Sequence, residues 1–324
     1  MVTGSTRRLL VISLRQHAVS LVAVFLALAV GVVLGAQTPA AALLSGLRSD
    51  SDQLRHQLAA AQERNSELTD HLDSTDAFIA RSAGRILAGS LADRSVVVFT
   101  APDAVPADLE GLASALQSSG AVITGRIALT DAFLDATEGD RMRTVLTNVI
   151  PAGAQLRTGA IDQGSLAGDL LGQVLLLDPG NGGARSTPQE LALAVETLRG
   201  GGFLAYGDTP VRPAQAAVIL TGEGRESGTG SRGANLARFA GALRARGAGV
   251  VLAGRAGAAE DTGAVAAIRS DAALAAAVTT VDNIERGIGR VTTALALTEQ
   301  LAGRSGRYGT GAGAASLTLT TPPG

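Results

Sequence analysis

The residue types that most often carry chemistry are scarce in this chain of 324 residues. It contains no Cys and no Lys, so all 27 basic residues are Arg. A thiolate metal site, a cysteine nucleophile, a disulfide scaffold and a Schiff-base lysine are therefore excluded, as is a phosphate-binding loop that ends in Lys. Histidines, carboxylates and glycine-rich loops remain as groups on which a site could be built.

The three histidines, His17, His56 and His71, all lie in the first quarter of the chain. His56 and His71 would stand about 22 Å apart along a helix, which is too far for both to ligate one metal ion. Because the rest of the chain has no imidazole, neither a Ser-His-Asp triad nor a histidine metal centre can be assembled there. We expect all three to be solvated side chains on helix faces.

One glycine string has the pattern of a dinucleotide-binding loop. Gly228 to Gly233 reads GTGSRG, after the apolar run Val218–Leu220 and before a helical pattern that includes Leu236. Glycines at a helix N-terminus let a phosphate approach backbone N–H groups. However, a seven-residue spacer separates the string from the strand, and it lies late in its domain. We expect a flexible loop here, and a turn at Asp178–Gly183.

Four acidic residues in the last third of the chain could bind a hard cation: Asp261, Asp271, Asp282 and Glu285. Nothing in their spacing fixes their mutual distances, so we expect solvated faces and helix caps instead. We predict no catalytic residue, no cofactor-binding residue and no tightly bound cofactor, and we do not expect an enzyme. The sequence identifies no metal ligands.

Overall charge and aromatic content argue against nucleic acid as a partner. The 27 basic residues are balanced by 29 acidic ones, and aromatic residues make up 2% of the chain. The chain therefore has neither the positive field that attracts phosphates nor the rings on which bases stack.

The segment from Ala18 to Ala36 is apolar, with Ser20 as its one polar residue. As a helix it would be about 28 Å long, close to the thickness of the bilayer hydrocarbon. Its length and uniform hydrophobicity favour a retained membrane helix over a buried core helix. A cleaved signal peptide is a further alternative, although Thr38-Pro39-Ala40 is a poor cleavage site. We predict a transmembrane helix at 18–36 after an N-terminal segment at 1–17.

The positive charges around this span predict its orientation. Arg7, Arg8 and Arg15 precede it, and the first Arg that follows it is Arg48. By the positive-inside rule, the N-terminus lies in the cytoplasm. Everything after Gln37 then lies on the other side of a cell membrane or envelope layer, with membrane lipid as a partner of the span.

Gly31 and Gly35 form a small-x-x-x-small pattern within the span. Such a pattern lets two membrane helices approach closely. A chance occurrence in an apolar helix is the alternative.

A heptad-like pattern follows, from which we predict a coiled coil at 43–90. Its spacing of three and four residues favours a parallel coiled coil and a homo-oligomer. Asn65 falls in the core, where a buried Asn fixes register and selects a dimer. The alternative is a single amphipathic helix that folds back on the globular part. The two core series are Leu44, Leu58, Asn65, Leu72 and Ile79, and Leu47, Leu54, Ala61 and Leu68.

From Ser95 the pattern changes to short apolar runs that alternate with helical segments, which predicts an α/β domain with a mostly parallel sheet at 95–305. Thr187-Pro188-Gln189-Glu190 has the features of a capping box and predicts a helix that ends near Arg199. The tail at 306–324 is rich in Gly, Thr and Pro and is predicted to be disordered. The predicted strands contain Val96–Phe99, Val122–Ile123, Phe203–Ala205, Val218–Leu220 and Val250–Leu252; the other predicted helices are Pro106–Gln117, one that contains Leu236 to Leu243, and one that contains Ile284 to Thr298.

Four segments resemble one known family. They are SLRQHAVSLVAVFLALAVGVVLG at Ser13–Gly35, SVVVFTAPDA at Ser95–Ala104, TVDNIERGIGRVTTALAL at Thr280–Leu297 and GRSGRYGTGAGA at Gly303–Ala314. In this order, and with a Leu-spaced coiled coil after the first, they resemble the mycobacterial-type copper transport outer-membrane protein B family (MctB) of actinobacteria. The resemblance covers most of the chain.

The resemblance implies a pore-forming envelope protein in copper efflux and copper tolerance, located in the outer membrane, with copper ions as the transported species. The residues offer little to hold copper tightly, because Cys is absent and Met occurs only at positions 1 and 142. A passive pore does not need a tight site, since it must release its ions. If the chain conducts ions, oligomerised anchor helices or a ring of chains must form the path.

Three hypotheses follow for function. The leading one is a single-pass, N-in envelope protein in copper efflux, in which a transmembrane helix and a coiled coil precede a Rossmann-like or flavodoxin-like α/β sheet flanked by helices. The alternative is a non-catalytic coiled-coil scaffold or interaction protein at the cell envelope. The third is an enzyme that uses the Gly228 loop to bind a phosphorylated or nucleotide ligand.

Overall fold

The computed structural model describes residues 14–36, 40–151, 155–157, 159–160, 162–207, 209–224 and 231–319. Its contacts divide the chain into two units, Met1–Leu72 and Asp73–Gly324. Because the dividing point lies inside a long helix, the second unit contains the last four turns of that helix as well as the sheet.

The described part of the first unit is helical. Helix α1 spans Leu14–Ala36 and contains the apolar run without a Pro or an acidic residue. Helix α2 spans Ala40–Leu87, 48 residues, and most of it belongs to this unit. The segment predicted as a transmembrane helix lies within α1, and most of the heptad segment lies within α2. Pairing of α2 with a second chain remains a prediction.

The second unit is built on one seven-stranded sheet. Its strands are β1 (Ser95–Thr100), β2 (Val122–Leu129), β3 (Leu204–Tyr206), β4 (Ala216–Leu220), β5 (Gly249–Ala253), β6 (Thr279–Val281) and β7 (Arg307–Tyr308). Its helices are α3 (Pro106–Ser118), α4 (Asp131–Leu134), α5 (Gly139–Thr147), α6 (Gln163–Leu175), α7 (Pro188–Gly200), α8 (Ser231–Arg244), α9 (Ala264–Ser270), α10 (Ala272–Ala277) and α11 (Gly287–Leu301), with 3₁₀ turns at Ala136–Glu138 and Ala256–Ala259.

The strand order is β3-β2-β1-β4-β5-β6-β7. All neighbouring strands are parallel except β2 and β3, which are antiparallel. The predicted α/β class and mostly parallel sheet are confirmed. The order reverses direction between β1 and β4, which makes the carboxyl ends of these two strands the topological switch point, where sheets of this kind bind ligands.

Both faces of the sheet are covered, which explains why its strands are apolar runs rather than alternating patterns. Along β1, Val97 and Phe99 face one core layer, and Val96 and Val98 face the other. Phe99 meets Phe239 of α8 edge to face, with 5.3 Å between the ring centroids. The second layer contains residues of α3 and α11.

Helix α6 packs very closely on α8 through three glycines four residues apart, Gly164, Gly168 and Gly172. A Cβ atom at Gly168 would stand 2.6 Å from the backbone oxygen of Phe239. No side chain larger than hydrogen fits there, so the glycines set the short distance between these helices. This helix is absent from our sequence predictions, because its glycines read as breakers.

Helix α7 begins as predicted. The Thr187 side chain accepts from the Glu190 N–H, and the Glu190 carboxylate accepts from the Thr187 N–H, which completes the capping box. The turn at Asp178–Gly183 is confirmed, since Asp178 Oδ1 accepts from the Gly180 N–H at 2.7 Å. By contrast, Ile284 precedes α11 rather than lying in it.

The last four turns of α2 pack on the α/β sheet. Leu87 is buried in the second core layer, and Ile79 lies against it. Asp76 Oδ1 accepts from the Gly287 N–H at 2.9 Å, at the start of α11. Asp76 Oδ2 also pairs with Arg286 Nε at 3.0 Å. The heptad position at Ile79 therefore contributes to the packing of the domain, although we placed it in the coiled-coil core.

The structure departs from the predicted disordered tail at 306–324. Arg307 and Tyr308 form β7 beside β6, and Tyr308 is buried and also bridges to Ser316. Described structure continues to residue 319. A two-residue strand surrounded by glycines leaves no recognisable pattern in a sequence.

Candidate functional site

Helix α1 is the first candidate site, because its surface is apolar on all sides. Arg15–Gly35 is the one described helix long and apolar enough to cross a membrane by length and composition. Its side chains are exposed throughout, including Phe25 and Leu34. An added Cβ would meet nothing within 4 Å at Gly31 or at Gly35. These glycines leave a shallow strip on the helix, and their role in helix packing stays a prediction.

Helix α2 carries an exposed apolar stripe within the first unit. Leu54, Leu58, Leu68 and Leu72 are 65%, 59%, 59% and 51% exposed. Asn65 is exposed on the same helix, and its backbone oxygen accepts a hydrogen bond from the Thr69 hydroxyl at 2.8 Å. The stripe has the composition of a coiled-coil seam, and the register role of Asn65 stays a prediction.

The switch point between β1 and β4 is the second candidate site. Asp103 lies after β1, and its carboxylate accepts from the Thr221 hydroxyl at 2.9 Å and from the Gly224 N–H at 3.0 Å. The loops that follow the two strands are thus tied together by one side chain. The cavity beside them, which Pro102 and Leu236 also line, measures about 40 Å³. That volume holds a few water molecules and no nucleotide.

A network of arginines and carboxylates continues from this point along the carboxyl edge of the sheet. Asp108, buried at the start of α3, accepts from Arg255 Nε at 2.7 Å and lies 3.5 Å from Arg290 Nη2. Arg255 also approaches Glu223 at 4.0 Å, and Glu223 accepts from the Gly257 N–H. Two guanidinium groups thus share one buried carboxylate, and they join the start of α3 to the loop after β5 and to α11. We call this group of three side chains the clamp.

Glu285 stands beside this network with an unusual environment. Its Oε2 atom is buried and has no hydrogen-bond partner among the described residues. Burial raises the pKa of Glu285 above its ordinary value, and the neighbouring Glu223 and Asp108 act in the same direction, while a backbone hydrogen bond and Arg255 oppose them. This carboxyl therefore holds its proton more tightly than an exposed glutamate does.

Asp282 contradicts the expectation of a solvated carboxylate. It is fully buried after β6, and its Oδ2 pairs with Arg269 Nη1 at 2.6 Å. Its Oδ1 accepts from the Thr310 N–H at 2.7 Å, while Arg269 Nη2 donates to the Tyr308 backbone oxygen. The pair holds the segment after β7 in place. Asp282 and Arg269 are thirteen residues apart and meet only through the sheet, so no local pattern predicts the pair.

The other sequence candidates are dispersed. Asp271 caps α10, accepting from the Ala273 and Leu274 N–H groups, as expected for a helix cap. Asp261 is exposed in a turn with a φ of 44°. Within the described ranges, no three His, Asp or Glu side chains come together as metal ligands.

The remaining sequence candidates are the three histidines and the glycine string at Gly228–Gly233. His17 lies on α1, while His56 and His71 lie on α2, and all three are exposed as expected. Of the string Gly228–Gly233, residues 228–230 lie outside the described residues. Gly233 belongs to the first turn of α8, and a Cβ there would collide with the backbone of Thr262.

Known proteins resemble this chain over almost its whole length. The family described as "Copper transport outer membrane protein, MctB" matches residues 11–319. The chain is 41% identical to the copper transporter MctB of Mycobacterium tuberculosis (strain ATCC 25618 / H37Rv) and to that of Mycobacterium bovis, and 40% identical to that of Mycobacterium leprae. Each alignment covers 95% of this chain and 99% of the relative. The chain therefore belongs to the MctB family.

Proposed function

We propose that this member of the MctB family acts in copper efflux and copper tolerance as a single-pass, membrane-anchored envelope protein. The observation that carries the proposal is the end-to-end match to relatives named copper transporters. The match includes both helix α1 and the sheet, so it covers every part that the proposed role requires.

The anchoring is supported by α1. A helix that is 21 residues long, apolar and exposed on every side is unfavourable in water, because its apolar side chains are hydrated. Insertion into lipid removes this free-energy cost of hydration. The arginine at its start and the absence of charge at its end favour an N-terminus in the cytoplasm and an α/β domain beyond the membrane. A span with its N-terminus in the cytoplasm crosses the cytoplasmic membrane, so the outer membrane in the family description does not follow from α1.

The residues favour passage of copper over tight binding. Copper(I) prefers thiolates and thioethers, and copper(II) prefers imidazole. The chain has no Cys, its Met142 is buried in the core, and no His lies beyond His71. A path that conducts ions must release them, so weak ligands suit it. Since one helix encloses no path, a pore requires several copies of α1, for which the Gly31 and Gly35 strip allows close packing.

Copper tolerance tests the role directly. A strain that lacks the gene should stop growing at a lower copper concentration than the parent, and the full chain should restore growth. The chain without residues 1–36 should not restore it, because the domain would lose its membrane. If the deletion strain tolerates copper as well as its parent does, the role in copper efflux is wrong.

Conductance measurements distinguish a chain that itself forms the pore from a chain that supports a separate channel. Purified full-length protein should give discrete current steps in a planar lipid bilayer, while the chain without residues 1–36 should give none. Copper sensitivity of the deletion strain without any conductance would instead mean that the chain supports a separate channel.

The exposed stripe on α2 favours the second candidate, a non-catalytic scaffold at the envelope. Apolar residues at coiled-coil spacing are typical of helices that bind other helices. A scaffold predicts oligomers that persist when residues 1–36 are removed, no conductance, and unchanged copper tolerance in the deletion strain. Cross-linking of the shortened chain at several concentrations measures the first of these.

A further inference from the structure

A large cavity in the described part of the α/β domain lies on the helical face, away from the switch point. It measures about 820 Å³ and lies between α6, α8 and α10. Alanines of α8 and α10, together with Leu274, supply its apolar wall. Three arginines contribute to the rest of the lining, namely Arg157, Arg238 and Arg244.

The acidic residues of this cavity are already engaged. Asp162 caps α6 and accepts from the Ser165 N–H at 3.0 Å and from its hydroxyl at 2.7 Å. Asp169 is buried and accepts from Arg246 through both oxygens, at 2.6 and 2.8 Å.

The third carboxylate, Asp271, accepts from the Ala273 and Leu274 N–H groups of α10 at 2.9 and 3.1 Å. Each acidic side chain of the cavity therefore has a donor within the protein.

The arginines of the cavity lack acidic partners. Arg244 donates to the amide oxygen of Gln300 and to the backbone oxygen of Gly247, both neutral acceptors. Burial lowers the pKa of Arg244, and no carboxylate opposes this effect. Among the described residues, no hydrogen bond or ion pair satisfies the side chain of Arg157 or of Arg238. Three guanidinium groups thus line the cavity outside any ion pair with its carboxylates.

We infer that this cavity binds an organic anion that carries a phosphate group. Guanidinium groups match the geometry of phosphate oxygens, and three of them suit a dianion better than a single carboxylate. The volume far exceeds that of a phosphate ion, so an apolar body would lie on the alanine and leucine wall of α10.

Binding of 1-naphthyl phosphate tests the inference. We expect isothermal titration calorimetry to show binding to the full-length protein in nonionic detergent micelles, with empty micelles subtracted. Inorganic phosphate should bind at least tenfold more weakly, because it lacks the apolar body, and 1-naphthol at least tenfold more weakly, because it lacks the charge. Absence of naphthyl phosphate binding, or equally tight binding of inorganic phosphate, would overturn the inference.

Three variants locate the site without depending on one residue. Arg238→Gln and Arg157→Gln should each weaken binding about tenfold. Both residues are exposed, so circular dichroism should show an unchanged melting temperature. Ala276→Trp at the exposed edge of α10 should block binding by occupying the cavity, with no change in charge.

A matched control comes from a second groove beside α7. That groove measures about 670 Å³ and is lined by Leu191, Val211 and the exposed Arg212. Arg212→Gln removes the same charge from the same domain and should leave naphthyl phosphate binding unchanged. If Arg212→Gln weakens binding and Arg238→Gln does not, the ligand binds beside α7 and our assignment is wrong.

Discussion

Leucines in the two units of this protein have opposite surroundings. On α2, Leu58 and Leu68 are exposed at the spacing of a helix seam, while Leu116 and Leu297 of the α/β domain are fully buried. The domain has therefore buried its apolar surface within one chain. The described part of the first unit has not, which is why we propose lipid around α1 and another helix against α2. Function that depends on the membrane or on assembly belongs to the first unit, and stability belongs to the second.

The largest difference between the units should appear in their ion pairs. Arg269→Gln leaves the buried Asp282 without its cation, and we expect a loss of about 3–5 kcal/mol in the free energy of unfolding. Arg55→Gln removes an exposed pair with Asp52 on α2, at a cost of about 0–1 kcal/mol. Urea unfolding of the two variants measures both. Similar losses would contradict the contrast between the units.

Identical substitutions of leucine should separate folding from assembly. Leu116→Ala removes a fully buried side chain and should destabilise the domain by about 2–5 kcal/mol. Leu68→Ala should leave the melting temperature of the domain unchanged and weaken association of chains instead. Thermal melting and sedimentation of each variant give the two readings. A large drop in melting temperature for Leu68→Ala would place that leucine in a core.

Replacing glycine by alanine should change the free energy of unfolding in opposite directions at two positions, by smaller amounts than the leucine substitutions. Gly168→Ala puts a Cβ 2.6 Å from the Phe239 oxygen, so α6 and α8 must separate, at a cost of about 1–3 kcal/mol. Gly84→Ala on α2 meets nothing within 4 Å and should stabilise the helix by up to about 1 kcal/mol. Thermal melting of both variants is sufficient. Equal tolerance of alanine at the two positions would mean that α6 can shift away from α8.

The smallest expected effect depends on pH. Because burial raises the pKa of Glu285, the unfolded chain ionises this group more easily than the folded protein does. Its ionised form thus lowers stability above the ordinary pKa of 4.5. Glu285→Gln should raise the melting temperature at neutral pH by about 2 °C at most and leave it unchanged near pH 3.5. Glu67→Gln on the exposed α2 is the control, with no such difference between the two pH values.

The sequence predicted the parts of this molecule that repeat a simple pattern. The apolar span, the long α2, five strands and the capping box at Thr187 all follow from local periodicity or capping chemistry. Helix α6 was not predicted, because its three glycines disrupt the helical pattern and are explained only by close packing against α8. Strand β6 begins with two threonines and β7 has only two residues, so neither forms an apolar run. The antiparallel direction of β3 depends on its neighbour rather than on its residues.

The candidate sites divide in the same way. Gly31, Gly35 and Asn65 follow from local spacing, and their proposed partners lie outside a single folded chain. The clamp around Asp108 and the buried pair of Asp282 and Arg269 join residues from distant segments. Only the order of the strands brings these groups together, and no local pattern encodes that order.

The docking of the last turns of α2 on the sheet decides where a soluble fragment of this protein can start. A gene cut at Ser95, where the first strand begins, would remove Ile79, Leu87 and Leu91 from the second core layer and the Asp76 carboxylate from the start of α11. Such a fragment would expose the apolar residues of the second core layer to water, and we expect it to aggregate during purification. A cut at Asp73 keeps this cover in place and gives crystallographers a sample that stays in solution.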